Sequence, residues 1–242
     1  MVLNVVDQSQ RKAAKVAGFT FLFAIAIVVI SNYSVNFRFV VPDAAETARN
    51  MMEHETLFRV NIFCNLIYLV TLIIMSTSLY VILKPVNKNF ALAAAFTRFV
   101  YASIWAIVAL NTFGALRLLG DAGFLKAFET DQLQALSRLR LYNSWDAYYV
   151  GLPFWGLASA VCSYLLLKSK YIPKALAIFG IISSVWCVFC AFAFLIFPEY
   201  GEIVHLGLFD VPLVIFEIIL GFWFLIKGLK STGLDQPNLI KK

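Results

Sequence analysis

Glu217 is the residue whose type and surroundings point most directly to chemistry. Its carboxyl group stands in an apolar stretch, between residues 213–216 and 218–220. An ionisable side chain inside a membrane is energetically costly unless it is paired, and it is by default a candidate for function. Glu217 therefore either pairs with a basic group or keeps its proton. A carboxyl group that keeps its proton can serve as a general acid.

Asp210 lies seven residues before Glu217, almost two helical turns away and therefore on the same helix face. It either takes part in the same site or caps the helix that follows it. Other polar and aromatic side chains are predicted at a similar depth. The candidate catalytic residues are Glu217, Asp146 and Asp210, and the candidate substrate-binding residues are Arg59, Asn61, Asn65, Asn111, Tyr149, Phe154 and Trp155. Their common depth predicts a polar and aromatic pocket in the outer half of the protein; the alternative is a polar network that only fixes helix packing.

Arg98 is the basic residue deepest in an apolar stretch. It either extends back toward the cytoplasmic interface or reaches toward Glu217. Tyr149 belongs either to an aromatic belt near the membrane surface or to the pocket. The deeper Phe154 and Trp155 are suited to line a cavity for a hydrophobic ligand, where their rings could stabilise a cation.

The elements that must position these residues follow from composition. The chain has 242 residues, of which 61% are hydrophobic and 14% are charged, whereas about 25% of a soluble domain is charged. This composition excludes an ordinary soluble enzyme and a disordered chain. The sequence does not alternate in polarity as barrel strands do. The predicted fold is an all-α membrane protein, a six-transmembrane-helix bundle forming a single domain over residues 1–242, with spans near 14–33, 57–83, 90–119, 145–167, 175–197 and 211–226.

The basic residues indicate how the spans are oriented. Twelve of the 20 lysines and arginines, but only two of the 14 acidic residues, fall before the first span, after the sixth, and in the second–third and fourth–fifth connections. By the positive-inside rule these segments, and with them both termini, are predicted to be cytoplasmic. The net charge of +6 is then a sign of topology in a multi-pass cell-membrane protein and indicates no nucleic-acid partner.

The outer connections are longer and contain helix-like patterns. Residues 42–56 include Asp43 as a candidate N-cap with Glu46 three positions later, and residues 124–144 include a candidate helix start at Thr130. Both segments are predicted to form short interfacial helices on the outer side, or alternatively only to close the loops.

The cysteines and histidines give no indication of a metal site. Four cysteines and two histidines lack the spacing of a zinc site, so no metal and no cofactor is predicted. Cys187 and Cys190 form a C-x-x-C pattern inside an apolar run, and we interpret them as small packing residues.

Several motifs together resemble a known family. They lie at residues 11–18, 41–45, 55–59, 79–88 and 164–173, and the turns LKPVNK at 83–88 and YIP at 171–173 are the most specific. Over roughly residues 11–227 the chain resembles the bacterial membrane-protein family described as domain of unknown function 4386. The resemblance implies a six-helix membrane protein and brings no established reaction with it.

Three functions stay open. The first is binding or transformation of a hydrophobic, isoprenoid-like small molecule, with a buried carboxylic acid as proton donor in a cyclase-type or lyase-type reaction. The second is a small transporter or ligand-binding protein, favoured by a possible internal repeat that relates residues 80–93 to 164–177 at an offset of 84. The third is a structural or partner-binding scaffold. The expected partners are membrane lipids and, for the first two functions, the small molecule.

Reporter fusions test the predicted orientation. A fluorescent protein fused after the last residue should fluoresce, and alkaline phosphatase fused there should be inactive, because that enzyme needs disulfides that form outside the cytoplasm. Fusions within residues 124–144 should behave in the opposite way. Active phosphatase at the C-terminus would contradict cytoplasmic termini.

Overall fold

Six long helices form the body of the protein in a computed structural model, which describes residues 6–197 and 199–230. These residues are almost entirely helical and contain no β-strand. The α-helices in chain order are α1 (Gln8–Ser31), α2 (Phe37–Phe39), α3 (Ala44–Glu53), α4 (Glu55–Leu83), α5 (Lys88–Leu118), α6 (Thr130–Ser169), α7 (Lys174–Ile196), α8 (Tyr200–Ile203) and α9 (Val211–Ile226). Asn32–Asn36 is a π-helical turn, and Gly123–Ala127 and Leu206–Leu208 are 3-10 turns.

The six long helices close into a ring. Helix α1 packs on α4, α4 on α5, α5 on α6, α6 on α7, α7 on α9, and α9 packs back on α1. Short turns of residues 84–87 and 170–173 join α4 to α5 and α6 to α7, so these neighbours run antiparallel. In this order α5 and α9 stand on opposite sides of the ring. A side-chain contact between them must therefore cross its interior.

Five helical segments in the described residues are long and apolar enough to cross a membrane, as expected for a multi-pass membrane protein. They are Gln8–Phe39, Glu55–Leu83, Lys88–Leu118, Thr130–Ser169 and Lys174–Ile196. Helix α9 is apolar but has 16 residues, a length of about 24 Å against a hydrocarbon core of about 30 Å. A sixth complete span at α9 therefore stays a prediction, as does the orientation of the termini.

Hydrogen bonds bring the predicted cytoplasmic segments together at one end of the ring. The Gln10 side-chain amide donates to the Ile82 carbonyl oxygen at 2.9 Å and to the Tyr171 hydroxyl at 3.1 Å. The Lys230 backbone N–H donates to the Tyr171 carbonyl oxygen at 2.9 Å. The start of α1, the α4–α5 and α6–α7 turns and the segment after α9 thus share an end. Lys241, Lys242 and Asp235, which also entered the charge count, lie outside the described residues.

The two segments predicted to lie on the outer side differ from each other. Helix α3 begins where the capping pattern predicts, since the Asp43 carboxylate accepts a hydrogen bond from the Glu46 backbone N–H at 2.6 Å. Residues 124–144, by contrast, do not form a separate short helix. Helix α6 begins at Thr130 behind a capping box of Glu129 and Gln132 and continues without a break to Ser169. No glycine or proline interrupts residues 130–150, so nothing in that stretch ends the helix where the apolar span begins. Whether α3 lies in the membrane interface stays a prediction.

Two glycines set the distance between α1 and α9. A Cβ atom added to Gly18 would lie 2.8 Å from the Gly221 carbonyl oxygen, and one added to Gly221 would lie 3.2 Å from the Gly18 carbonyl oxygen. The two backbones are therefore in direct contact, as small residues allow in membrane helices. Gly221 is one helical turn beyond Glu217, so this crossing also fixes the position of Glu217 in the ring.

Gly18→Ala should lower the thermal unfolding temperature of the detergent-purified protein, because the added methyl group meets a backbone atom that cannot move aside. The expected loss is about 1–3 kcal/mol, the range for overpacked sites. The control is Gly114→Ala in α5, where the new Cβ would meet the Arg140 side chain at an ordinary 3.7 Å. Equal unfolding temperatures for both variants would contradict the tight crossing.

Candidate functional site

An ion pair between α5 and α9 occupies the interior of the ring. The Arg98 Nη1 atom lies 3.2 Å from the Glu217 Oε1 atom, and the two residues are only 2% and 4% exposed. Of the two interpretations of Arg98, the structure shows the one in which it reaches Glu217. Because α5 and α9 lie on opposite sides of the ring, this pair bridges the interior.

Helix α6 supplies two more donors to the same carboxylate. The Trp155 indole N–H donates to Glu217 Oε1 at 2.8 Å, and the Ser159 hydroxyl lies 3.2 Å from the same atom. Trp155 and Ser159 are four residues apart and therefore on one face of α6. Glu217 thus accepts from three groups through one oxygen, an arrangement suited to an ionised carboxylate.

The Arg98 guanidinium reaches three further helices. Its Nη2 atom donates to the Ser159 hydroxyl oxygen at 2.6 Å, its Nη1 atom lies 3.3 Å from the Met75 sulfur, and its Cζ atom lies 5.9 Å from the centre of the Phe21 ring. Ser159 accepts from Arg98 and can donate to Glu217, so it links the two charges. The site therefore joins α1, α4, α5, α6 and α9. We call Arg98, Glu217, Trp155 and Ser159 the central polar site.

A small cavity adjoins the central polar site on the side toward Leu79 and Leu166. Its volume of about 10 Å³ is room for about one water molecule. The lining residues are Phe21, Leu79, Arg98, Ser159, Cys162, Ser163, Leu166, Phe216, Glu217 and Leu220. Two buried polar atoms of this lining, Arg98 Nε and Ser163 Oγ, have no hydrogen-bond partner within the described part of the chain. The cavity lining thus combines polar and apolar side chains.

An aromatic layer covers the other side of the central polar site. The Trp155 ring stacks on Tyr101 with centroids 5.7 Å apart and planes 12° apart, and Trp105 packs edge-on against Tyr101 and Tyr68. Trp105 also contacts Tyr148, whose hydroxyl donates a hydrogen bond to the Asp210 carboxylate. Among the described residues, the Asp210 side chain thus bonds to Tyr148 and to no member of the central polar site. Burial raises the pKa of the Asp210 carboxyl, and the bond from Tyr148 opposes that shift.

Most of the other predicted site residues lie elsewhere. Arg59 pairs with Glu55 on the exposed surface, and Asn61 binds the Ser31 hydroxyl at 2.6 Å and the Asn65 amide at 3.2 Å. Asp146 is exposed.

Three predicted residues remain to be placed. Asn111 is buried within α5, Phe154 is half-buried against the main core, and Tyr149 packs on Phe194 and Phe209. Of the ten predicted site residues only Glu217 and Trp155 belong to the central polar site. The structure therefore does not gather the ten residues in a single pocket. Their catalytic and binding roles stay predictions.

Several residues of the site were not predicted from the sequence. Ser159 and Ser163 look like ordinary small residues of a membrane helix, and Met75 and Phe21 like ordinary apolar ones. The one available signal was that Ser159 follows Trp155 by one helical turn. Within residues 6–197 and 199–230, no three His, Cys, Asp or Glu side chains come close enough to hold a metal ion. Cys187 and Cys190 are free and buried.

A comparison with known families finds one match that spans most of the chain. The family model described as "Domain of unknown function (DUF4386)" matches residues 16–228. The chain belongs to this family. The central polar site, its cavity and the aromatic layer of this DUF4386 protein all fall within the matched residues, so the resemblance noted in the motifs is confirmed. No curated protein and no solved structure matched the chain.

A double-mutant cycle tests whether the ion pair acts as a unit. Arg98→Met and Glu217→Leu should each destabilise the protein by about 3–5 kcal/mol, because each leaves one buried charge without its partner. The double variant R98M/E217L should recover most of that loss, since neither charge remains. Thermal unfolding in detergent measures all three.

The exposed pair Arg59–Glu55 is the matched control for this cycle. Its side chains are 58% and 42% exposed, so R59A/E55A should change stability by less than about 1 kcal/mol. Additive losses at Arg98 and Glu217 would show that the two charges do not depend on each other.

Proposed function

We propose that this DUF4386 protein binds an amphipathic, lipid-like small molecule in the interior of the helix ring, with the polar end of the molecule at the central polar site. The observation that carries the proposal is the Arg98–Glu217 ion pair, which is buried between opposite helices beside a cavity with unpartnered polar atoms. Phe21, Leu79, Leu166 and Leu220 supply an apolar wall for the rest of the molecule.

The stability of the fold does not by itself explain why a buried ion pair is present. Removing two charges from water costs several kcal/mol per ion, and apolar residues of similar volume often replace a buried pair at no loss. A membrane helix bundle can also hold its helices together with small residues, as α1 and α9 do at Gly18 and Gly221. Ionisable groups inside a membrane protein therefore favour a role in binding or transport.

The size of the cavity sets a condition on binding. A cavity of about 10 Å³ holds about one water molecule, so a larger ligand must displace side chains or move a helix. Helix α9 is the shortest of the ring helices and carries Glu217. A ligand that replaces contacts between Arg98 and Glu217 would loosen the one ion pair, among the described residues, that joins α9 to α5.

Acid catalysis by Glu217 is the second candidate function. It is favoured by the stacked rings of Trp155 and Tyr101 beside the carboxylate, since aromatic faces stabilise a developing cation. Against it, Glu217 accepts from Arg98, Trp155 and Ser159, and each of these bonds supports the ionised form. Proton donation would first require Glu217 to leave Arg98.

Mass spectrometry of molecules that co-purify with the protein tests the proposal. Small molecules extracted from the wild type should include at least one amphipathic species whose amount falls about tenfold or more in R98M/E217L, because the group that binds its polar end is absent. A tenfold change corresponds to about 1.4 kcal/mol. The surface variant R59A/E55A is the control and should retain the species. If R98M/E217L folds and has the same content as the wild type, the proposal is wrong.

Incubation of that species with wild type and Glu217→Gln separates binding from catalysis. A binding protein should return the molecule unchanged in both cases. Conversion by the wild type that is lost in Glu217→Gln, with circular dichroism showing that the variant is folded at the assay temperature, would support the second candidate instead.

A further inference from the structure

We infer that the polar end of the bound molecule is an uncharged hydroxyl group, and that its chain lies between α4 and α5 on the side of the α4–α5 turn. This inference rests on the proposed function and names the chemical class of its ligand. It follows from the charge balance of the central polar site, from the hydrogen-bonding atoms left in the cavity wall, and from a closely packed seam between α4 and α5 that continues the cavity.

The charge balance favours an uncharged ligand. Arg98 and Glu217 neutralise each other at 3.2 Å, and no further Lys, Arg, Asp or Glu side chain lines the cavity. A phosphate, carboxylate or ammonium group would bring a third charge into an apolar interior with no partner of opposite sign left for it. A neutral polar group avoids that penalty.

The free hydrogen-bonding atoms favour a hydroxyl among neutral groups. Arg98 Nε can only donate, and Ser163 Oγ, on a residue that is fully buried, can donate and accept. All three bonds to Glu217 go to Oε1, which leaves Oε2 able to accept. A hydroxyl group accepts from Arg98 and donates to Ser163 or to Glu217, whereas a carbonyl group can only accept.

A closely packed seam between α4 and α5, too narrow for a water molecule, continues the cavity and indicates where the chain of the molecule would enter. It shares Leu79, Arg98 and Cys162 with the first cavity and extends between α4 and α5 toward Leu83 and the half-buried Tyr80. Along α5 the wall is made of small residues, Ala91, Ala94 and Ala95. With Leu79 and Leu83 of α4 these methyl groups make most of the seam apolar, and a chain would have to move Leu79 to pass from the cavity into it.

Four ligands with one chain and different ends test the hydroxyl assignment. Farnesol, farnesoic acid, farnesylamine and farnesyl phosphate are titrated onto wild-type protein in phosphatidylcholine nanodiscs, and binding is followed by native mass spectrometry. Farnesol should bind at least about tenfold more tightly than each charged analogue, a difference of about 1.4 kcal/mol. Tighter binding of any charged analogue overturns the inference while the proposed function stands. No saturable binding of farnesol also overturns it, and the co-purification experiment then decides the proposed function by itself.

Matched variants test the two contacts separately. Ser163→Ala should weaken farnesol binding about threefold to tenfold, and Ser103→Ala, at an exposed position of α5, should not. Ala94→Phe, which places a large ring in the α4–α5 seam, should weaken binding by tenfold or more, and Ala93→Phe, at an exposed neighbouring position, should leave it unchanged. Circular dichroism and thermal unfolding confirm that each variant folds. Equal affinities of the two phenylalanine variants, or of the two alanine variants, contradict the corresponding contact.

Discussion

The Arg98–Glu217 ion pair is the interaction on which the arrangement of the interior depends. It joins two helices that do not pack side by side, and it draws Trp155, Ser159 and Met75 toward the same point. In a bilayer the alternative to such pairing is a charge in hydrocarbon, which is more costly than any single packing contact. Polar groups of α5, α6 and α9 therefore converge at this point, and side chains of α1 and α4 pack against them.

The close contact of α1 and α9 complements this interaction. Gly18 and Gly221 allow the two backbones to touch, and Glu217 then faces the interior one turn away. Helix α9 is thus attached to the rest of the ring in two ways. Its backbone contacts that of α1, and its Glu217 pairs with Arg98 of α5. Helix α7, which also packs on α9, contributes nothing to the lining of the cavity. The walls of the cavity come from α1, α4, α5, α6 and α9.

The sequence predicted the helices and the importance of Glu217, but not the site around it. Apolar length identifies a membrane helix, and a lone carboxyl group in such a stretch is recognisable because of its energetic cost. The rotation of each helix about its axis could not be predicted in this way. Lipid is as apolar as the protein interior, so the helices show no clear polar face. Depth alone therefore grouped Asn61, Asn111 and Asp146 with Glu217, although they face other neighbours. The helix start at Asp43 was predictable because capping is local, and the unbroken α6 was not, because its apolar part begins well after the helix does.

Helix α6 runs without a break from the end of the ring near α3 to the centre of the ring. Its 40 residues make it about 60 Å long, roughly twice the thickness of the hydrocarbon core. Its first third contacts α3, where the Ser137 hydroxyl lies 3.7 Å from the Met51 sulfur, and the same helix carries Trp155 and Ser159. Pro153 lies two residues before Trp155 and lacks the N–H that would bind the preceding turn. A bend of α6 at Pro153 would therefore change the position of Trp155 relative to Glu217.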